Sequence, residues 1–252
     1  MAERAPLRVR ENLREPEAKR RLTDALFGTL AASYDATNRL LSLGRDAVWK
    51  RALVAALPAL ERPVCLDLAC GTGDLTRALA ERYPRGRTIG LDQNAPMLDR
   101  ARTRCAGRAN IEFLRADMAQ TGLPDGAVDV VTGGYALRNS AELGPALDEI
   151  ARVLRPGGTA AFLDFSRPVS PAGQGISGFL LTLWCGFWGL VLHRRPELYT
   201  YIAKSMMVMP DRRQLRRMLE ARGLRVTSSR LHYFGILETI FVVRAPASWR
   251  RP

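Results

Sequence analysis

A doubly wound, mostly parallel α/β sheet is the fold class this sequence predicts, on three observations. From Pro63 onward, short apolar runs bounded by glycine alternate with stretches of helical period. Such alternation needs crossover connections, which are right-handed and leave the strands parallel with helices on both faces. The first run, Val64–Ala69, leads into a turn carrying Gly71 and Gly73 and then into a helix; strand-to-helix turns at the carboxyl edge are where such sheets bind ligands. Finally, 252 residues of 47% apolar and 25% charged composition suit one core-filled domain and exclude wholesale disorder.

The elements follow in order. Ala25, Leu26, Phe27, Leu30, Ala31 and Tyr34 recur every three or four positions, as do Val48, Trp49, Ala52, Leu53, Ala56 and Leu57 before Pro58. Residues 1–62 are therefore expected to form a helical cap and 63–252 the sheet domain, the whole being one compact unit. Strands are expected at Val64–Ala69, Thr88–Leu91, Ile111–Leu114, Ala127–Thr132 and Thr159–Phe165. Helices run between them through Tyr83, to about Cys105, and over about Glu142–Leu154. An apolar insertion at about residues 168–205 breaks the rhythm, which resumes with a helix at Asp211–Arg222 and strands near Leu224–Ser229 and Gly235–Val243.

Charge is uneven. Lys and Arg number 38 against 25 acidic residues, and the segment Arg194–Pro252, with 13 basic and 4 acidic residues, holds +9 of the net +13. A local basic patch points to an anionic partner such as lipid headgroups, nucleic acid or phosphate. The four cysteines, Cys65, Cys70, Cys105 and Cys185, include no C-x-x-C pair, which excludes a zinc site and a disulfide framework and fits free thiols in a reducing compartment. Charges scattered through Met1–Ala25 leave no apolar h-region, so a cytoplasmic location is expected.

The turn after the first strand reads Leu66-Asp67-Leu68-Ala69-Cys70-Gly71-Thr72-Gly73-Asp74, and the third position of a dinucleotide fingerprint is Thr76 rather than glycine. That weighs against a nicotinamide cofactor. Asp67, then G-T-G-D, then Asp92 in Gly90-Leu91-Asp92-Gln93-Asn94 and Asp117-Met118 after the third strand, resemble the motifs of class I S-adenosylmethionine-dependent methyltransferases. The resemblance implies a seven-stranded sheet and S-adenosylmethionine as cofactor. It implies that the glycine turn holds the methionine portion, Asp92 the ribose hydroxyls, and Asp117 and Met118 the adenine. A carboxylate bridging two vicinal hydroxyls makes charge-assisted bonds, stronger than neutral ones.

More specific segments lie outside that frame. Tyr34-Asp35-Ala36-Thr37-Asn38, Ser42-Leu43-Gly44, Trp49-Lys50, Gly134-Tyr135-Ala136-Leu137-Arg138-Asn139, Leu163-Asp164-Phe165-Ser166-Arg167-Pro168 and Tyr199–Ser205 together resemble the ubiquinone/menaquinone C-methyltransferase family (UbiE/MenG) from about Ala25 to Val243. Departures from its pattern are Gly134 at a serine, Ala136 at a glycine, Cys70 at a glycine and Asp164 at a glutamate. The cofactor set this implies is Tyr34, Asp67, Gly71, Thr72, Gly73, Asp92, Gln93, Asp117, Met118 and Gly134, with Arg138, Asn139 and Tyr135 as catalytic candidates and no metal. Tyr34, Asp35 and Asn38 are placed as a lid over the cofactor. The implied reaction is C-methylation of a prenylated quinol, most readily demethylmenaquinol, with the head group left open. Arg138 is always cationic, so it stabilises a phenolate rather than accepting its proton; a water ordered by Arg138 beside Asn139 is the acceptor the resemblance implies. His193 and His232 are weaker candidates for a base.

Pro168–Leu192 is uncharged, and its dense part, Phe179–Leu192, is 14 residues long, about 21 Å as a helix against a bilayer core of about 30 Å. Both ends join one sheet, which argues against a span. A buried helix and an interfacial one opening on a tunnel for an isoprenoid tail both remain. Trp184 and Trp188 on one face, with Phe187 between them, favour the interface. With Arg194, Arg195 and the arginines at 212, 213, 216, 217 and 222, the expected partner is an anionic membrane surface, bound peripherally; a homodimer is also admitted. Three rivals stand: a methyltransferase of small soluble phenols, a scaffold without turnover, and a nucleic-acid methyltransferase. The last lacks an N/D-P-P-Y/F segment after the fourth strand, and no nucleic-acid partner is expected.

Overall fold

The structure, a computed structural model, describes residues 15–193 and 196–246. Three helices come first, α1 (Pro16–Leu30), α2 (Tyr34–Leu41) and α3 (Asp46–Ala55). The sheet domain then alternates β1 (Val64–Leu68), α4 (Asp74–Arg82), β2 (Arg87–Asp92), α5 (Ala95–Arg104), β3 (Ile111–Arg115), β4 (Val128–Gly134), α6 (Leu143–Val153) and β5 (Leu154–Phe165). The insertion is two helices, α7 (Pro171–His193) and α8 (Pro196–Val208), before α9 (Arg212–Glu220), β6 (Leu224–His232) and β7 (Leu237–Arg244). Seven strands form one sheet in the order β3-β2-β1-β4-β5-β7-β6. The first five are parallel, and β7 lies antiparallel between β5 and β6.

Each face of the sheet has its own core. Leu66, Leu68, Leu91, Val131 and Phe162 meet α6 and α9 through Leu147, Ile150 and Leu219 on one side. Cys65, Val130 and Leu163 meet α3 and α4 through Trp49, Leu53, Leu75 and Leu79 on the other. Burying such side chains contributes about 1.5–3 kcal/mol each. A third cluster joins Leu22, Leu26 and Leu30 of α1 to Leu181 and Cys185 of α7 and Tyr201 and Met206 of α8. The amino-terminal cap and the insertion therefore share a core over the carboxyl edge of the sheet.

Three features differ from the sequence expectation. The helical spacing from Ala25 to Tyr34 is broken, because α1 ends at Leu30 and α2 starts at Tyr34 with Ser33 before it. The apolar helix is 23 residues long rather than 14, about 34 Å. Gly173, Gly175 and Gly178 weaken the helical signal of its first turns, so the dense apolar run marks only the later part. It is long and apolar enough to cross a bilayer by length and composition, with 22% of its most apolar window buried. Lastly, three of the five arginines in and after α9 are engaged in the fold. Arg212 donates to Ser166 Oγ (2.8 Å) and the Gly235 carbonyl (3.1 Å), Arg222 pairs with Asp148 at 2.7 Å and Arg216 with Glu238 at 3.7 Å, while Arg213 and Arg217 are exposed. Tertiary contacts supply partners that the local charge run does not reveal. Arg194, Arg195 and the side chain of His193 lie outside the described residues.

One glycine fixes the active turn. A Cβ on Gly133 would stand 2.8 Å from the Ala136 Cβ and 3.1 Å from the Phe162 ring. Gly133→Ala is expected to lower stability by about 1–3 kcal/mol, the usual range for overpacking a filled core, read as a lower urea midpoint at unchanged slope.

Candidate functional site

A cavity lies over the carboxyl ends of β1, β2 and β4, with Thr23, Asp24 and Phe27 of α1 and Tyr34 of α2 as its roof. Asp92 closes β2 on its floor. One carboxylate oxygen accepts from the Gly71 amide and the other from the Asn94 amide, both at 2.9 Å. Burial raises the Asp92 carboxyl above its usual range against those bonds, and neighbouring Asp24 adds repulsion. Asn94 caps α5 by accepting from the Met97 amide and donates to Asp24 of the roof at 2.8 Å. Asp117 accepts from the Ala119 amide at 2.8 Å and pairs with Arg20 of α1 at 2.8 Å. The first helix is thus latched across the cavity at two points.

The same wall includes Gly71, Gln93, Met118, Gly134, Tyr135 and Asn139. Gly71 adopts φ +55 with the Tyr34 ring 3.7 Å from where its Cβ would be, so the backbone approaches a ligand as only glycine readily does. Three other predicted cofactor residues are outside that wall, Asp67 and Thr72 lining a smaller adjoining pocket that shares Tyr34, Gly71 and Gly134 with it. Asp67 accepts from Thr76 (2.7 Å) and Thr132 (2.9 Å), and burial pushes its carboxyl up to about 6. Thr72 donates to Asp35 at 2.7 Å, and Gly73, at φ +84, lets α5 come close at Ala101. The residues present fit S-adenosylmethionine: a carboxylate at a strand end suits vicinal hydroxyls, and Phe27, Leu91, Met97 and Met118 give a purine apolar walls.

A second cavity, about 410 Å³, is predominantly apolar and lies between the cap, the insertion and the β6–β7 turn. Leu41, Leu43, Phe165, Leu180, Leu181, Trp184, Ile202, Phe234 and Ile236 line it. Tyr135 belongs to both walls. Near that junction Arg138 is buried, its guanidinium carbon 5.0 Å over the Phe165 ring and 5.9 Å over the Tyr201 ring. Its Nη1 donates to Ser205 at 3.1 Å, and Nε lies 3.6 Å from Asp164. The Arg138 Nε is a buried donor without a hydrogen-bond partner among the described residues, its nearby carboxylate being Asp164, and the Asn38 side chain bonds Tyr34.

Asn139 donates to the Tyr135 carbonyl at 2.7 Å and accepts from the Tyr201 hydroxyl at 3.1 Å. Trp184 donates to the Leu41 carbonyl at 3.0 Å in the cavity wall. Phe187 is exposed, and Trp188 is half-buried against both aromatic neighbours; neither lines the cavity. Asp35 is held by Thr72 and Arg104 rather than over the cofactor cavity. His232 packs on Trp49 and meets Thr239 at 2.9 Å, away from both cavities. Sequence reasoning missed Thr23, Asp24 and Phe27, whose only signal is a helical face without known partner. It also missed Asn94, which N-caps a helix carrying proline in its first turn, a recognisable helix start.

Comparison with known proteins agrees with this geometry. Residues 15–243 match the model of the ubiE/COQ5 methyltransferase family. A demethylmenaquinone methyltransferase of Deinococcus radiodurans is 34% identical over 88% of this chain and 92% of its own. A ubiquinone/menaquinone biosynthesis C-methyltransferase UbiE of Hahella chejuensis is 34% identical over 79% of this chain and 82% of its own. Among solved structures, an SAM-dependent methyltransferase from Aquifex aeolicus superposes with a TM-score of 0.61 at 16% identity, covering 86% of this chain and 98% of that one. The family match takes in the cap, the glycine turn and both cavities, so this chain is a methyltransferase that uses S-adenosylmethionine and belongs to the ubiE/COQ5 methyltransferase family.

Proposed function

We propose that the chain methylates a ring carbon of a prenylated quinol, the demethylmenaquinol precursor of menaquinone. One observation carries the reading: the cavity floored by Asp92 and a larger, predominantly apolar cavity meet at Tyr135, with Asn38 and the buried Arg138 in the wall of the apolar one. An acceptor with ring oxygens and a long apolar tail matches both its chemistry and its size. Menaquinone is the product class that the two relatives' names share.

Bound S-adenosylmethionine supplies an electrophilic methyl on a sulfonium. The protein's task is to hold a nucleophilic carbon in line with that methyl, which supplies much of the acceleration. Tyr135 and Phe165, with ring centroids 5.8 Å apart and planes 41° apart, form an aromatic corner against which a ring head group can pack. Arg138 lowers the pKa of a phenol beside it and stabilises the phenolate that makes the ortho carbon nucleophilic. Its stack between Phe165 and Tyr201 holds the guanidinium plane in place.

The tail has to arrive from lipid, and the mouth of the apolar cavity is suited to that. Leu43, Leu180, Trp184 and Phe234 line the cavity while remaining exposed, Phe234 completely. Ile176, Phe179, Leu183, Phe187, Leu190 and Val191 continue an exposed apolar stripe along α7. Exposed Arg39, Arg45 and Arg230 flank the Leu43 and Phe234 tips in the chain. These features support peripheral docking on an anionic bilayer. Vesicles containing about one third anionic lipid are expected to sediment the protein at low salt and release most of it at high salt. Leu183→Asp is expected to weaken that binding about tenfold; sedimentation indifferent to salt and to this change contradicts the docking.

The function is tested with methyl-labelled S-adenosylmethionine and four acceptors, namely demethylmenaquinol and a demethylated benzoquinol in liposomes, a soluble catechol, and bulk tRNA. Label on a ring carbon of demethylmenaquinol is the expected result. Label on catechol oxygen or on RNA alone overturns the substrate assignment and leaves the cofactor site intact.

A further inference from the structure

C-methylation of a phenol releases one proton per turnover, and the apolar cavity offers it no ready base. Among the described residues its polar wall consists of Asn38, Ser42, Tyr135, Arg138, Cys185 and Tyr233. Burial pushes the Cys185 thiol up to about 12, and the Tyr233 hydroxyl is spent on the Ser42 carbonyl at 2.6 Å. Tyr135 differs, because its phenol hydroxyl reaches a carboxylate. The Oη donates to Asp46 Oδ1 at 2.7 Å. Asp46 Oδ2 lies 2.8 Å from Lys50 Nζ, and Lys50 Nζ lies 3.4 Å from Asp74 Oδ2. Asp46 and Lys50 are buried, whereas the Asp74 side chain is 38% exposed and is held by Arg104. A continuous chain of hydrogen-bonding groups thus runs from the junction of the two cavities to solvent. The ring at its inner end is held by a left-handed backbone, φ +59 at Tyr135, a strained conformation for a tyrosine that folds keep mainly at functional sites.

We propose that Tyr135, Asp46, Lys50 and Asp74 form the exit path for the proton released in methyl transfer. The inference rests on the C-methylation reading above. The acceptor O–H bond breaks with its electron pair left on oxygen. Its proton passes to Tyr135 Oη as the tyrosine's own proton passes to Asp46 Oδ1. The phenolate's ortho carbon then forms the new C–C bond with the transferred methyl, and the C–S bonding pair stays on sulfur. Loss of the ring C–H proton to the acceptor's own oxygen restores the aromatic phenol, so the surplus proton is the one on Asp46. Lys50 gives one of its own protons to Asp74, which exchanges with water, and takes the one on Asp46 in its place. Tyr135 is the catalytic residue of the path, and Asp46 acts through it.

The test compares Tyr135→Phe and Asp46→Asn with wild type on demethylmenaquinol and on a ring-fluorinated analogue whose phenol is more acidic. Removing a general base slows turnover by about 10²–10⁴. Both variants are expected to lose at least about a hundredfold with the parent quinol and only a few-fold with the fluorinated one, which needs less help to ionise. Asp46→Glu is expected to recover part of the loss, and cofactor affinity by calorimetry is expected to stay within about twofold in Tyr135→Phe. Asp46→Asn leaves Lys50 short of a partner, so if it folds poorly the tyrosine variant carries the comparison alone. Equal losses on both acceptors mean that the pair is structural, and no loss means that the proton leaves by another route; either result overturns the path. If wild type places no methyl on the quinol carbon, the functional reading fails instead, whatever the variants do.

Discussion

Arg138→Lys is expected to cut turnover of the quinol about a hundredfold or more while leaving cofactor affinity within about a factor of two. Withdrawing one preorganised donor from a developing oxyanion costs on the order of 10²–10³ in rate. Lysine is no substitute at this position. The guanidinium lies over two rings, bonds Ser205 through Nη1 and sets its buried Nε 3.6 Å from Asp164. An ammonium offers no plane to stack and cannot place donors at both sites. Arg138→Met removes the charge as well and is expected to be slower still. Steady-state kcat on reduced acceptor, with calorimetry for the cofactor, separates the two effects. A loss confined to cofactor binding contradicts the role.

Asp92→Asn is expected to do the reverse, weakening S-adenosylmethionine by about tenfold to a hundredfold, with turnover at saturation little changed. Hydrogen bonds to a charged group are worth about 1.5–3 kcal/mol. The amide also puts a donor where the Gly71 and Asn94 amides now point, so one of those bonds is lost. The pH dependence has a definite sign. Burial raises the Asp92 carboxyl above its ordinary value, so protonation on acidification removes an acceptor, and cofactor affinity falls from a higher pH than an ordinary carboxylate would give. Titration calorimetry across mildly acidic to neutral pH should show that fall in wild type and a flatter profile in Asp92→Asn.

The sheet was legible because β1 and β2 are short, mostly buried strands, β1 leading into a glycine turn and β2 ending in Asp92, and both alternate with helices. The position of β7 between β5 and β6 was not, since antiparallel insertion depends on contacts between distant segments. In the cap, Lys19 hid the start of α1. It is a charged residue that the structure buries, its ammonium pushed down to about 8 by burial and by Arg138. No glycine or proline marks the break before Tyr34, so the apolar spacing ran through it. Of the site, residues on strand ends and the first turns after them could be read from motif order, as with Gly71, Asp92, Met118 and Arg138. The roof residues Asp24 and Phe27 face their partners only after folding. The Tyr135–Asp46 bond spans 89 positions, and no local pattern announces it.

On the proposed function, one active site joins a cofactor cavity to an apolar cavity that holds an isoprenoid tail. The most direct measurement is kcat/KM for a series of 2-prenylated naphthoquinols with no, one, two, four and eight isoprene units, presented in detergent, with the methyl position assigned by mass spectrometry. The account predicts C-methylation throughout and a rise in kcat/KM of at least tenfold per added unit over the first two, at about 0.8 kcal/mol for each buried CH₂, then a plateau once the cavity is filled. A tail-free naphthoquinol used as well as the long-tailed ones would contradict it.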